Sequence, residues 1–99
     1  MPARIRANVA QSESNTYTGT SGAHSIAISK GFTPSMVTIY GPSEGAIYFL
    51  IQGQPGLRIA SGTFAGVAGL GISGASFALP AGTGGANNNG LGYFWTAIR

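Results

Sequence analysis

A chain of 99 residues with 17 glycines and 7% charged side chains makes one domain with a small core; a globule of this size buries roughly 60–65% of the surface its unfolded chain exposes. The net charge of +3 reflects a near absence of acids, and Arg4, Arg6, Lys30, Arg58 and Arg99 are scattered along the chain. That scatter argues against a nucleic-acid footprint, which needs Lys and Arg clustered on one face. With no cysteines, neither a disulfide framework nor a thiolate metal site can staple the fold.

Residues 1–15 (MPARIRANVAQSESN) are polar with scattered apolar positions and no sustained period, and they read as an N-terminal arm. No long apolar run follows Arg4 and Arg6, so no signal peptide is expected. From 16 to 99 the chain reads as a single β domain. Asn15–Gly19 is a short β-prone piece. His24, Ile26 and Ile28 alternate with Ser25, Ala27 and Ser29, the period of two of a half-buried strand. Met36–Tyr40 sets Val37 and Ile39 against Met36, Thr38 and Tyr40. Ala46–Ile51 is apolar on both faces, as in a central sandwich strand. Leu57–Ala60 and Ser76–Leu79 are shorter candidates. Leu91–Ile98 sets Tyr93 and Trp95 opposite Phe94 and Ile98. Gly and Pro punctuate these runs, and no segment carries a helical stripe with caps. The expected fold is all-β, an antiparallel sandwich or jelly-roll-like domain with an extended N-terminal arm.

Ser61–Gly74 (SGTFAGVAGLGISG) is Gly-rich and has three readings: a flexible loop, a strand crowded against a neighbouring backbone, or a membrane-active piece. The apolar run Phe64–Leu79 is shorter than the ~20 residues a spanning helix needs, which favours a packed loop or subunit contact over membrane insertion.

Chemistry has little to work with. There is no Asp, and the two glutamates, Glu13 and Glu44, lie on different segments. His24 is the single histidine, with no Asp to orient its ring, and it reads as a strand residue at the edge of a core. Three or four convergent metal ligands cannot be assembled, and no phosphate-cradling glycine motif occurs. The chain is therefore expected to be non-enzymatic and without cofactors. Tyr17, Tyr40, Tyr48 and Trp95 are candidates for stacking on a ligand such as a sugar ring, although most aromatics in a charge-poor strand belong to the core. No charged residue lies between Arg58 and Arg99, and so few charges protect a surface poorly from association. Glycine costs about 0.5–1 kcal/mol against Ala in regular structure, so help from neighbouring subunits is expected. Candidate contact residues are Arg4, Ile5, Arg6 and Val9 in the arm, and Phe64, Val67, Leu70 and Ile72 in the Gly-rich segment.

Three stretches in order carry a resemblance: Tyr17-Thr18-Gly19 followed by the short apolar Ser25–Ile28, then Gly31-Phe32-Thr33-Pro34-Ser35-Met36-Val37, and finally Asn88-Asn89-Gly90-Leu91-Gly92-Tyr93-Phe94-Trp95-Thr96-Ala97. Together they resemble a recurrent virion module of tailed bacteriophages, found in tail-fibre tips and small head-surface proteins; residues 41–86 lie outside the match. Gly31 and Pro34 make a turn into a strand, Phe32 caps the core, and Asn89-Gly90 favours a hairpin turn. The resemblance implies a symmetric assembly, with a trimer favoured, on the surface of a particle made in the host cytoplasm. The expected function is that of a capsid-associated cement or decoration protein bound to the major capsid protein or a tail component. The alternative is a receptor-binding, glycan-recognising tip of a tail or head fibre.

Overall fold

The computed structural model describes residues 11–82 and 84–99. The chain is all-β and antiparallel throughout, in two facing sheets. Strands β1 (Ser12–Thr18), β3 (Met36–Gly41), β4 (Ala46–Ile51), β5 (Gly56–Ala60), β6 (Thr63–Val67) and β9 (Gly92–Ile98) make a six-stranded sheet in the order β1-β9-β3-β4-β5-β6. Strands β2 (His24–Ala27), β7 (Gly71–Ile72) and β8 (Ser76–Leu79) make a three-stranded sheet in the order β2-β8-β7. The sandwich expected from the short alternating runs is the architecture seen.

Alternation decides which side chains meet. Val37, Ile39, Ala46, Tyr48, Leu50, Tyr93, Trp95 and Ala97 all point into the gap between the sheets and are buried. From the smaller sheet Phe77 and Leu79 close on them, and Ile28, Phe32 and Leu70 fill the ends. Phe77 meets Trp95 edge-on, with ring centroids 5.3 Å apart, an arrangement the ring quadrupoles favour. Gly31, at φ 81°, turns the chain after β2 and delivers Phe32 and Pro34 to buried positions, as the sequence predicts.

Two expectations need correction, the arm boundary and the hairpin at Asn89-Gly90. The boundary placed after residue 15 falls inside β1, because Ser12–Thr18 pairs along its whole length with β9. Glu13 is the anchor there. Its carboxylate accepts hydrogen bonds from the Ser29 amide (3.0 Å) and hydroxyl (2.8 Å) and from the Lys30 amide (2.8 Å). Burial pushes this carboxyl up, but those donors outweigh burial and hold it below its usual range. Residues 1–10, the remainder of the expected arm, lie outside the described residues. Ala46–Ile51 is, as expected, a central strand of the sandwich; Ala46, Tyr48 and Leu50 are buried on its inner face, while Ile47 and Ile51 are exposed on the outer one. Of the readings of the Gly-rich 61–74 segment, the strand is the one seen, since it supplies β6 and β7, although a Cβ at Gly62, Gly66 or Gly74 would meet nothing within 4 Å. Finally, Asn89-Gly90 does form a turn, with the Leu91 amide on the Asn88 carbonyl at 3.1 Å, but it leads from Asn87 and Asn88 into β9 and joins no two paired strands.

One end of the sandwich is tied by a polar cluster around Glu44, in the turn between β3 and β4. Its carboxylate accepts from the hydroxyls of Tyr48 and Tyr93 and from Asn88 Nδ2 at 2.8 Å, and Arg58 lies 3.6 Å away. Tyr17 stacks on Tyr93 with centroids 5.1 Å apart and donates its hydroxyl to the Ala86 carbonyl at 2.8 Å. Burial first, then contact with Glu44, raises the hydroxyl pKa values of Tyr48 and Tyr93, and burial followed by the neighbouring tyrosines raises that of Tyr17. A raised folded-state value means the neutral form is favoured in the native state. The resulting stabilisation is complete below the ordinary tyrosine value of about 10 and is lost as pH rises through the folded values. In an alkaline titration these three tyrosinates should therefore appear together with loss of Trp95 tertiary signal, in one cooperative step. Gradual ionisation of all three in a chain that stays folded would contradict this arrangement.

Candidate interaction face

The outer side of the six-stranded sheet is assembled by register. Across five strands, Phe94 stands beside Tyr40, Tyr40 beside Ile47, Ile47 beside Ile59 and Ile59 beside Phe64. A second row runs Thr96, Thr38, Phe49, Leu57. A third sets Ile98 and Ile51 on either side of Met36. On β1 the same face continues as Ser12, Ser14, Thr16 and Thr18, with the Ser14 and Thr96 hydroxyls 2.9 Å apart. The result is a sheet surface with a hydroxyl rim on one side, Thr96 and Thr38 in its middle row, and large apolar side chains around them.

Its exposure is unusual. Phe64 is 69% exposed, Phe94 54%, Ile51 52% and Tyr40 47%. Scattered apolar residues are ordinary on protein surfaces, but these lie next to one another across hydrogen-bonded strands, and contiguous apolar patches mark contact sites. No charged residue stands on this face among the described residues: Glu13 and Arg58 occupy inward parities of their strands, opposite Ala97 and Tyr48. The outer side of the three-stranded sheet is different, carrying Ser25, Ala27, Ser76 and Ala78. The large apolar groups are thus confined to one side of the molecule.

Of the predicted contact residues, Phe64 lies on this face. Leu70 does not: it is buried in the core, and Val67 and Ile72 pack against the core from partly buried positions. Arg4, Ile5, Arg6 and Val9 lie outside the described residues. Of the predicted stacking residues, Tyr40 is exposed on the face. Tyr48 and Trp95 are buried, so neither presents a ring to a ligand, and Tyr17 is partly buried with one ring face against Tyr93. Sequence reading passes over Phe94, Ile47, Ile51 and Ile98. The signal it holds for them is the double-sided apolarity of Ala46–Ile51, which reads equally well as burial on both faces.

The titratable groups are engaged locally. Both Glu44 oxygens are held by side chains of the core end, both Glu13 oxygens by the Ser29–Lys30 turn. His24 Nδ1 sits 2.8 Å from the Gly22 carbonyl, so that nitrogen carries the proton and donates. No group of three or more His, Cys, Asp or Glu comes together among the described residues, and no helix there is long and apolar enough to cross a membrane.

Compared with protein-family models, curated proteins and solved structures, the chain gives no match.

Proposed function

We propose that this chain is a non-enzymatic structural protein of a tailed-phage particle, a cement or decoration protein that coats the virion surface and acts by association. The observation that carries the association is the uncharged apolar outer face of the six-stranded sheet. A surface of this kind is disfavoured in a free monomer and stabilised when covered.

The phage assignment rests on the resemblance of the quoted stretches, three of which meet in the larger sheet. Tyr17-Thr18-Gly19 ends β1, Gly31–Val37 leads into β3, and Asn88–Ala97 runs into and along β9, which lies between β1 and β3. Stretches from opposite ends of the chain thus meet on the neighbouring strands β1, β9 and β3, while Ser25–Ile28 runs along β2 in the smaller sheet. Their spacing works as a structural unit.

Mixing the purified protein with empty tailed-phage capsids should give saturable binding in a fixed, symmetric copy number. Capsids that stay bare at saturating protein would overturn the assignment. A second reading, a glycan-binding fibre tip, draws on the adjacent exposed rings of Tyr40 and Phe94 with Thr16, Thr38 and Thr96 beside them. It requires glycan-array binding that Tyr40→Ala abolishes.

A further inference from the structure

We infer that the outer face of the six-stranded sheet takes a second copy of this chain, packed sheet on sheet about a twofold axis lying across the strands. The inference rests on the reading of this face as the surface of association, and it names the occupant.

Three features point to a second copy. The first is size. Six strands spaced about 4.8 Å apart and about 20 Å long make a face of roughly 600 Å². Two such faces bury about 1,200 Å², which reaches the lower end of the range for specific, stable interfaces. The second is charge. Lys30, Arg58 and Arg99 give the described region its positive side chains, and none lies among the outer rows of the sheet. Two like-charged copies can therefore meet on this face without desolvating an unpaired charge, the arrangement that costs most at an interface.

The third feature is self-complementarity. A twofold axis across the strands, level with the row of Thr38 and Phe49, lays each strand over its own counterpart. The hydroxyl rim on β1 then meets a hydroxyl rim, and apolar β4, β5 and β6 meet their equals. The same operation sets the row of Phe94, Tyr40 and Ile47 over the row of Ile98, Met36 and Ile51 of the second copy. An isologous contact of this kind closes on itself. It gives a pair, where the family resemblance favours a trimer.

The test is sedimentation of the purified full chain at about 100 µM, well above the micromolar upper range for interfaces of this size. The wild type should run at twice the 10.0 kDa chain mass. Phe94→Glu and Ile47→Glu alter exposed side chains and should leave the fold intact, as read by the near-ultraviolet circular dichroism of Trp95. Each should weaken pairing by about 30-fold or more. Ser25→Glu, on the outer side of the smaller sheet, should remain paired. Because the chain has no cysteine, Thr38→Cys gives a second, independent readout. Near the axis, on sheets packed about 10 Å apart, it should be joined to its counterpart by a short bis-maleimide, and Ser25→Cys should not.

A wild-type monomer, which would leave residues 1–10 or another protein as the occupant, overturns the inference. So does a trimer, or a pairing constant, measured by sedimentation over a dilution series, that Phe94→Glu leaves unchanged. A monomer that still coats capsids would sink the second-copy inference alone. A pair that leaves capsids bare would sink the particle assignment alone.

Discussion

Glu44→Ala is expected to destabilise the fold by about 3–5 kcal/mol, because three side-chain donors gathered on its buried carboxylate lose their acceptor, at about 1–3 kcal/mol for each donor left unmatched. The substitution strips the acceptor from the hydroxyls of Tyr48 and Tyr93 and from Asn88 Nδ2, and it leaves Arg58 without its carboxylate. Buried donors left unmatched cost more than the net worth of the bonds they made. For a domain of this size the midpoint of thermal unfolding should fall by roughly 15–25 °C. Trp95, buried against Phe77, reports the transition by fluorescence. Glu44→Gln keeps the shape and one acceptor oxygen but turns an amide donor toward existing donors, so an intermediate loss of about 2 kcal/mol is expected. A Glu44→Ala protein that melts within a few degrees of wild type would show that the cluster contributes little to stability.

Gly19→Ala should be comparably severe, about 3 kcal/mol or failure to fold, because the clash is with backbone and cannot be relieved by a rotamer change. A Cβ at residue 19 would sit 2.2 Å from the Asn88 carbonyl oxygen and 2.8 Å from the Asn87 carbonyl carbon. Relieving that contact would part the Gly19 amide from the Leu91 carbonyl and the Gly90 amide from the Gly19 carbonyl, both 2.9 Å hydrogen bonds. It would also shift Asn87, whose buried side chain accepts from the Thr20 amide and donates to the carbonyls of Gly22 and Pro80. Gly22→Ala is the control: its Cβ would meet nothing closer than Thr20 Oγ1 at 3.7 Å, and a change within about 0.5 kcal/mol is expected. Equal stability of the two variants in urea unfolding would contradict the close approach at Gly19. The same approach gives a physical reason for the glycine in Tyr17-Thr18-Gly19 and for its pairing with the Asn88–Ala97 stretch. The two motifs are the two sides of one backbone crossing.

Period-two alternation by itself determines a good deal of this protein. Val37 and Ile39 separate from Thr38 and Tyr40, and Tyr93 and Trp95 from Phe94 and Ile98, on the order of residues alone, because successive side chains of a strand must point to opposite faces. The all-β class follows from many such short runs between Gly and Pro turns. Local pattern cannot say which of two faces a second sheet will cover. Ala46–Ile51 is apolar at both parities, and as an isolated string it fits a strand covered on both sides. Only the tertiary structure decides otherwise. The smaller sheet has three strands and lies on one side of the larger sheet, so Tyr48 and Leu50 go inward while Ile47 and Ile51 are left outside.

The Glu44 cluster is hidden from the sequence for a related reason. Tyr93 lies 49 residues from Glu44, and they meet only because β9 is inserted beside β3. The absence of charge between Arg58 and Arg99 is plain from the sequence and points to association. That the large apolar groups gather on a single flat face, with Phe94 beside Tyr40 and Ile59 beside Phe64, is a matter of strand register. Register is set by long-range pairing, and no stretch of the chain carries it alone.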